Sequence, residues 1–373
     1  MDGNGRGALM LGFVPNLKWR FSDARTRIYP GGWVREQVDD DLPQSKEISA
    51  AQQHLKKGAI RELHWHRVAE WGQVLAGRVL LSTVDEIGRH QVAELQFGDI
   101  YYFPKGEAHT LQGLDDENEL LLAFDDGNFD AAGTTFNVDD WLARTPKSIL
   151  AKSLGVPESA FDELPQPNPY IQNSATGAPT RQRAIVGGAG ELAGNDSRIY
   201  RTFSHAPERA PGGAGVWWKM DSTYLPVAKT LASTYNVLKP KSIRELHWHT
   251  NVDWPASWIG DFANSQQSDE WVYFHKGTGR ATIFTGNGNA RTFDFGPGDT
   301  AIFPAQSGHY IENTSATQNL TWIEIHKTDR VADMSLTQWM ALTPADIVAD
   351  VLNLPLGLVE NFEKEKQIFI RGD

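Results

Sequence analysis

The feature that most constrains this chain is a seven-residue phrase written twice. Ile60-Arg-Glu-Leu-His-Trp-His66 reappears as Ile243-Arg-Glu-Leu-His-Trp-His249. Each copy is followed by Glu-Trp (Glu70-Trp71, Glu270-Trp271), Gly-Asp (Gly98-Asp99, Gly298-Asp299), Phe-Pro (Phe103-Pro104, Phe303-Pro304) and a last histidine, His109 or His309. Glutamate and last histidine are 39 residues apart both times. Three histidines and a glutamate repeated in one order predict a metal site built twice.

The repeat runs wider than the ligands. Tyr29-Pro-Gly-Gly32 is echoed by Ala210-Pro-Gly-Gly213, and Trp141-Leu-Ala-Arg-Thr-Pro146 by Trp339-Met-Ala-Leu-Thr-Pro344. Helical spacing follows each proline, at Ile149, Leu150 and Leu154 and at Ile347, Val348, Val351 and Leu352, with proline expected at the first helical position. The stretch 156–182 is rich in Pro, Asn, Ser and Thr and reads as a linker. The predicted division is therefore 1–155, a linker over 156–182, and 183–373 with terminal helices.

Between these ends the pattern is β. Val74–Val84 and Trp271–Phe284 are apolar, β-branched and broken by glycine, and Asp85–Gly88 and Thr285–Gly288 read as hairpin turns. Short strands with frequent turns predict an all-β chain of two closed, double-sheet, jelly-roll barrels, each followed by a short helical segment. No helix separates the strands, which excludes a parallel α/β fold.

Residues i and i+2 of a strand share a side. His64 and His66 therefore face one way together, as do His247 and His249. Glu70 and His109, or Glu270 and His309, complete three nitrogens and one carboxylate. That set suits divalent manganese, iron or zinc. The chain has no cysteine, so thiolate ligands and disulfides are excluded. His54, His90, His205, His275 and His326 have no duplicated counterpart and read as ordinary residues. A net charge of −12 argues against nucleic acid or an anionic membrane as partner, and no run approaches 18 apolar residues. The start, with a short apolar stretch over 8–14, gives no clear signal peptide.

These phrases, with Tyr102-Phe-Pro104, Phe124-Asp-Asp-Gly127 and Gly308-His-Tyr-Ile-Glu-Asn313, make the chain resemble the oxalate decarboxylase family, and its fungal branch in particular. The resemblance spans nearly the whole chain. It implies two cupin (double-stranded β-helix) domains with about two Mn2+ ions per chain, and cleavage of oxalate to formate and carbon dioxide with dioxygen as cofactor. It also implies a homo-oligomer, and similar fungal proteins are often secreted. The family's ligands fall on His64, His66, Glu70 and His109 and on His247, His249, Glu270 and His309. Its substrate-binding arginines fall on Arg61 and Arg244, and its second-site carboxylate on Glu324.

Two departures stand out. The family's lid glutamate, a proton donor, falls here on Ala131 or Ala132, in a segment one residue longer (Asp130–Thr135). Asp130 is the nearest substitute. Without a donor, an oxalate oxidase-like outcome giving hydrogen peroxide competes with decarboxylation, and a non-catalytic, storage-like bicupin is the third reading. The other departure is a sixteen-residue block, Val252–Gln267, whose excision restores His-Thr-Asn-Ser-Asp-Glu-Trp. It reads either as a retained intron or as a loop with Trp254, Trp258 and Phe262 over the second site. Asp253 then competes with Glu270 as ligand, and Glu270 is favoured because the strand begins there.

Overall fold

The computed structural model describes residues 14–175, 177, 185, 187–250 and 268–372. The block at 252–267, with Asp253, lies outside them.

Each half is built from a larger and a smaller antiparallel sheet. In the first half the larger sheet runs, in spatial order, Ile199–Tyr200, Ile100–Phe103, Glu70–Ala76, Glu117–Phe124, Ser49–Lys56, Gly32–Gln37 and Arg27–Tyr29. The smaller sheet runs Thr135–Asn137, Ile60–His66, Ala108–Gly113, Arg78–Val84 and His90–Gln96, with Ile171–Gln172 also pairing Ile60–His66. The second half repeats the plan. Glu270–Lys276 and Leu320–His326 are central in its larger sheet, and Gly308–Asn313 and Ile243–His249 in its smaller one. The strand ladders stop at the sheet edges, so each barrel is two facing sheets rather than one ring closed by hydrogen bonds. Side chains from both inner faces fill the space between, in the first half Val34, Val74, Leu81, Phe103 and Leu111.

The chain passes between the sheets where sequence places breaks. Gly77 turns with φ +67°, and a Cβ there would meet the Glu117 carbonyl at 2.2 Å. Only glycine fits that approach. The hairpins at Asp85–Gly88 and Thr285–Gly288 join neighbouring strands as expected. Helices Val138–Ala143 and Lys147–Leu154 follow the first half, and Leu336–Ala341, Ala345–Leu352 and Leu356–Val359 the second. Pro146 and Pro344 sit at the N-cap, one residue earlier than expected, a shift within the usual spread of helix boundaries.

Two strands cross the boundaries drawn from sequence. Lys18–Arg20 pairs with Asp299–Phe303 of the second half, and Ile199–Tyr200 pairs with Ile100–Phe103 of the first. The larger sheets also share one core, in which Trp71, Ile100 and Leu121 join Trp271, Tyr273 and Ile302. Both tryptophans are fully buried, and each indole N–H finds a partner from the other half: Trp71 donates to Ser233 at 3.2 Å, and Trp271 to Gln37 at 2.7 Å. No helix among the described residues is long and apolar enough to cross a membrane.

Candidate metal centres

Strand pairing brings each predicted ligand set to one place. His109 lies opposite His64 across one antiparallel pair, and Glu70 opens the strand that begins after the turn from His66. His64, His66, Glu70 and His109 point one donor atom each into a common space, all within 4.8 Å of one another, and all four are buried. His247, His249, Glu270 and His309 do the same in the second half.

The second ring nitrogens fix the tautomers. The Nδ1–H groups of His64 and His109 donate to the carbonyls of Glu62 (2.7 Å) and Glu107 (2.9 Å). Those of His247, His249 and His309 donate to Glu245, Ala332 and Ser307 at 2.7, 3.2 and 2.9 Å. His66 Nδ1 shares a hydrogen bond with the Thr135 hydroxyl at 2.9 Å. A carbonyl only accepts, so Nδ1 keeps the proton and Nε2 offers its lone pair inward. The Nε2 atoms of His109, His247, His249 and His309 are buried without a hydrogen-bond partner. Unpartnered buried nitrogens around one carboxylate oxygen are what a divalent ion would satisfy, so the residues fit the group.

Electrostatics agree. Burial, followed by the neighbouring arginine, holds the His64 and His247 imidazoles well below their usual range, so they are neutral donors. Burial alone would raise the carboxyls of Glu70 and Glu270. A positive charge among the facing rings, His109 and His66 or His249 and His309, outweighs it and holds both low and ionised, and a bound divalent cation would supply that charge while the rings stay neutral. Glu70 Oε2 lies 3.1 Å from His66 Nε2 and 3.3 Å from His109 Nε2, and Glu270 Oε2 lies 2.9 and 3.0 Å from those of His249 and His309.

Arg61 reaches the first centre through a bulge. The pairing of Ile60–His66 with Ala108–Gly113 matches His64 to His109 but Arg61 to Leu111. One extra residue on the bulged strand reverses the alternation, so Arg61 is buried beside His64 while Leu63 is exposed. The same slip recurs between Arg244 and His247. Arg61 lines a cavity of about 10 Å3 with His64, His66, Glu70, Phe129 and Tyr170. Phe129, just before the lid segment, lines the same cavity and stacks face to face on Phe124 at 3.8 Å. At the second centre, Arg244 and Glu324 line a larger cavity of about 260 Å3. There Arg244 is paired with Asp333, which also holds Lys366.

Glu324 stands at the second centre, buried, taking hydrogen bonds from Thr234 at 2.6 Å and the Trp322 indole at 2.7 Å. Asp130 is not brought to the first centre: it is exposed on the lid turn. Sequence reasoning missed Tyr170, whose ring packs on Arg61 from the linker, and Tyr101, whose hydroxyl donates to Glu70 Oε1 at 2.8 Å. It also set aside His326, which is fully buried with its ring 4.5 Å from that of His249. Burial lowers its imidazole to about 3, so it is neutral. Looking for duplicated residues could not find it, because the matching position in the first half is Phe124.

The chain matches the Cupin family over residues 21–160 and 264–355. It is 51% identical over 367 residues to the probable oxalate decarboxylase of Arthroderma benhamiae, an alignment covering 98% of this chain and 86% of that one. The solved structure of oxalate decarboxylase from Bacillus subtilis at pH 4.6 superposes with a TM-score of 0.87 at 36% identity, covering 97% of this chain and 89% of that one. A structure from work on the Mn(II) centres of the same bacterial enzyme superposes equally well, at 36% identity and a TM-score of 0.87, covering 97% and 90%.

Proposed function

The chain belongs to the oxalate decarboxylase family of bicupins, and on that premise we propose that it cleaves oxalate to formate and carbon dioxide at manganese centres. One observation carries the reading. Two buried sets of three histidines and one glutamate each have an arginine turned in beside them by the same strand bulge.

His64, His66, Glu70 and His109 would hold one ion, and His247, His249, Glu270 and His309 the other. Bound manganese, with dioxygen as cofactor, supplies the one-electron chemistry that makes the carbon–carbon bond labile. The rest falls to side chains. Arg61 offers a planar fork of N–H donors to a carboxylate, and it is held against Tyr170 so that little is lost in orienting it. Phe129 and Phe124 give the first centre an apolar wall beside Arg61. The cavity beside Arg61 holds about 10 Å3, so its walls must open to admit a dicarboxylate. As the bond breaks, carbon dioxide leaves and the remaining carboxylate carbon takes up a proton to become formate. Asp130, exposed in this structure, is the only carboxyl of the lid segment and would have to swing inward to deliver it in the first cupin. Glu324, buried beside Arg244, is the carboxyl placed for that role in the second.

The same reading makes the protein a homo-oligomer. Trp141, Ile149 and Leu154, and Trp339, Ile347 and Val351, stand exposed on the helices that end the two halves. A second copy of this chain would cover them. Sedimentation of the purified protein tests this, and a monomer at all concentrations would reject it.

The deciding experiment measures formate, carbon dioxide and hydrogen peroxide from oxalate on one manganese-loaded sample. Formate in step with carbon dioxide supports decarboxylation. Peroxide without formate would assign an oxidase, and no turnover would leave a non-catalytic bicupin.

A further inference from the structure

The two centres share their ligands but not their surroundings. In the first cupin the free oxygen of the glutamate is capped, since Glu70 Oε1 accepts the Tyr101 hydroxyl. Leu122 and Phe124 complete an apolar wall there, with Phe124 directly across the strand pair from Glu70. In the second cupin the register is the same and the residues differ. Ala301 stands at the Tyr101 position, opposite Val272 as Tyr101 is opposite Gly72. Glu324 replaces Leu122, and His326 replaces Phe124 directly across from Glu270.

The substitutions form a group of their own. One carboxylate oxygen each from Glu270 and Glu324 and one ring nitrogen of His326 lie within 4.8 Å of one another. This group shares only Glu270 with the four-ligand set. His326 is 1% exposed, yet neither ring nitrogen has a hydrogen-bond partner, and Glu270 Oε1 has none either. A core histidine that served packing alone would find a partner for at least one nitrogen, because an unsatisfied buried polar atom is costly. Glu324 is oriented by Thr234 and Trp322, one bond to each oxygen, which leaves each oxygen a further lone pair.

We propose that the second cupin holds an additional divalent cation beside its four-ligand centre, ligated by Glu324 and His326 and bridged to that centre by the two oxygens of Glu270. A mixed nitrogen and oxygen donor set suits manganese, iron or zinc. A bridging carboxylate places paired ions about 3.5–4 Å apart. Glu324 also lines the 260 Å3 cavity that holds Arg244, so the added charge lies where a dianion would enter. The first cupin, with Tyr101, Leu122 and Phe124, is a built-in comparison with no such group.

The proposal rests on the reading that the four-ligand centres bind manganese, and the test separates the two. The full-length protein is loaded with Mn2+, desalted, and its metal counted by mass spectrometry alongside its electron paramagnetic resonance spectrum. About three ions per chain are expected, one pair of them magnetically coupled, since donor count and geometry set metal content. His326→Phe should leave about two ions, remove the coupling and keep the isolated-ion signal. Glu324→Gln, which keeps shape, should do likewise and serves if His326→Phe fails to fold. Two uncoupled ions in the unaltered chain would overturn the additional site while leaving the four-ligand centres intact. Three ions that persist in both variants would overturn the assignment to Glu324 and His326. A chain that retains no manganese would overturn the metal reading itself, and this inference with it.

Discussion

The Arg61 guanidinium lies over the ring of Tyr170, 3.8 Å from its centroid, although 109 residues separate the two. Tyr170 in turn stacks on Tyr29 at 4.9 Å, so the fork that would grip a carboxylate rests on a two-ring stack. A cation over an aromatic face contributes about 0.5–2 kcal/mol. Tyr170→Ala should therefore lower kcat/KM for oxalate by roughly 2- to 30-fold and leave manganese content unchanged. Unaltered kcat/KM would remove Tyr170 from substrate positioning.

Arg61→Lys keeps the charge and loses the planar fork. Turnover should fall by roughly tenfold or more while metal stays bound, since Arg61 is not among the convergent donors. Wild-type turnover in this variant would show that Arg61 does not hold substrate.

His66→Ala should cost about one manganese equivalent per chain, lost from the first centre. His247→Ala should act the same way at the second. The two effects should add, because each centre draws its donors from one half only. If metal content stays constant in both variants, the ligand assignment is wrong.

The lid segment offers only Asp130, which is exposed. A positioned general acid contributes about 10²–10⁴-fold. Ala131→Glu should therefore raise the ratio of formate to peroxide, read from both products in one assay. A parent protein that already makes formate with no measurable peroxide would show that another group, Glu324 first among them, supplies the proton.

Glu62 gives a pH prediction for stability. Burial lifts its carboxyl from 4.5 to about 7, with Arg61 opposing and Asp139 adding to the rise. A raised folded value means that folding favours the protonated form. Its contribution is complete below pH 4.5 and is lost as pH climbs through 7. Glu62→Gln stays neutral throughout. The Tm of the parent should thus fall relative to the variant between those limits, by at most the equivalent of about 3 kcal/mol. Parallel Tm curves would show that Glu62 does not titrate in that window.

The sequence by itself determined what is local and repeated. Alternation in Ile60–His66 and Ile243–His249 put paired histidines on one side, because a strand's side chains have a period of two. The common Glu-to-His interval made the two four-donor sets visible, and the glycine-broken apolar runs made the strands visible. What only the tertiary structure decided is everything that depends on distant pairing. The bulge that turns Arg61 and Arg244 inward exists only when a partner strand supplies the register. The exchange of Lys18–Arg20 and Ile199–Tyr200 between halves leaves no periodic trace in segments of three and two residues. Tyr170 meets Arg61 only because the linker returns to pair with Ile60–His66. His326 was passed over because it lacks a twin. Its chemistry comes from standing opposite Glu270 across a strand pair, a neighbour 56 positions away in the sequence that no local pattern joins to it.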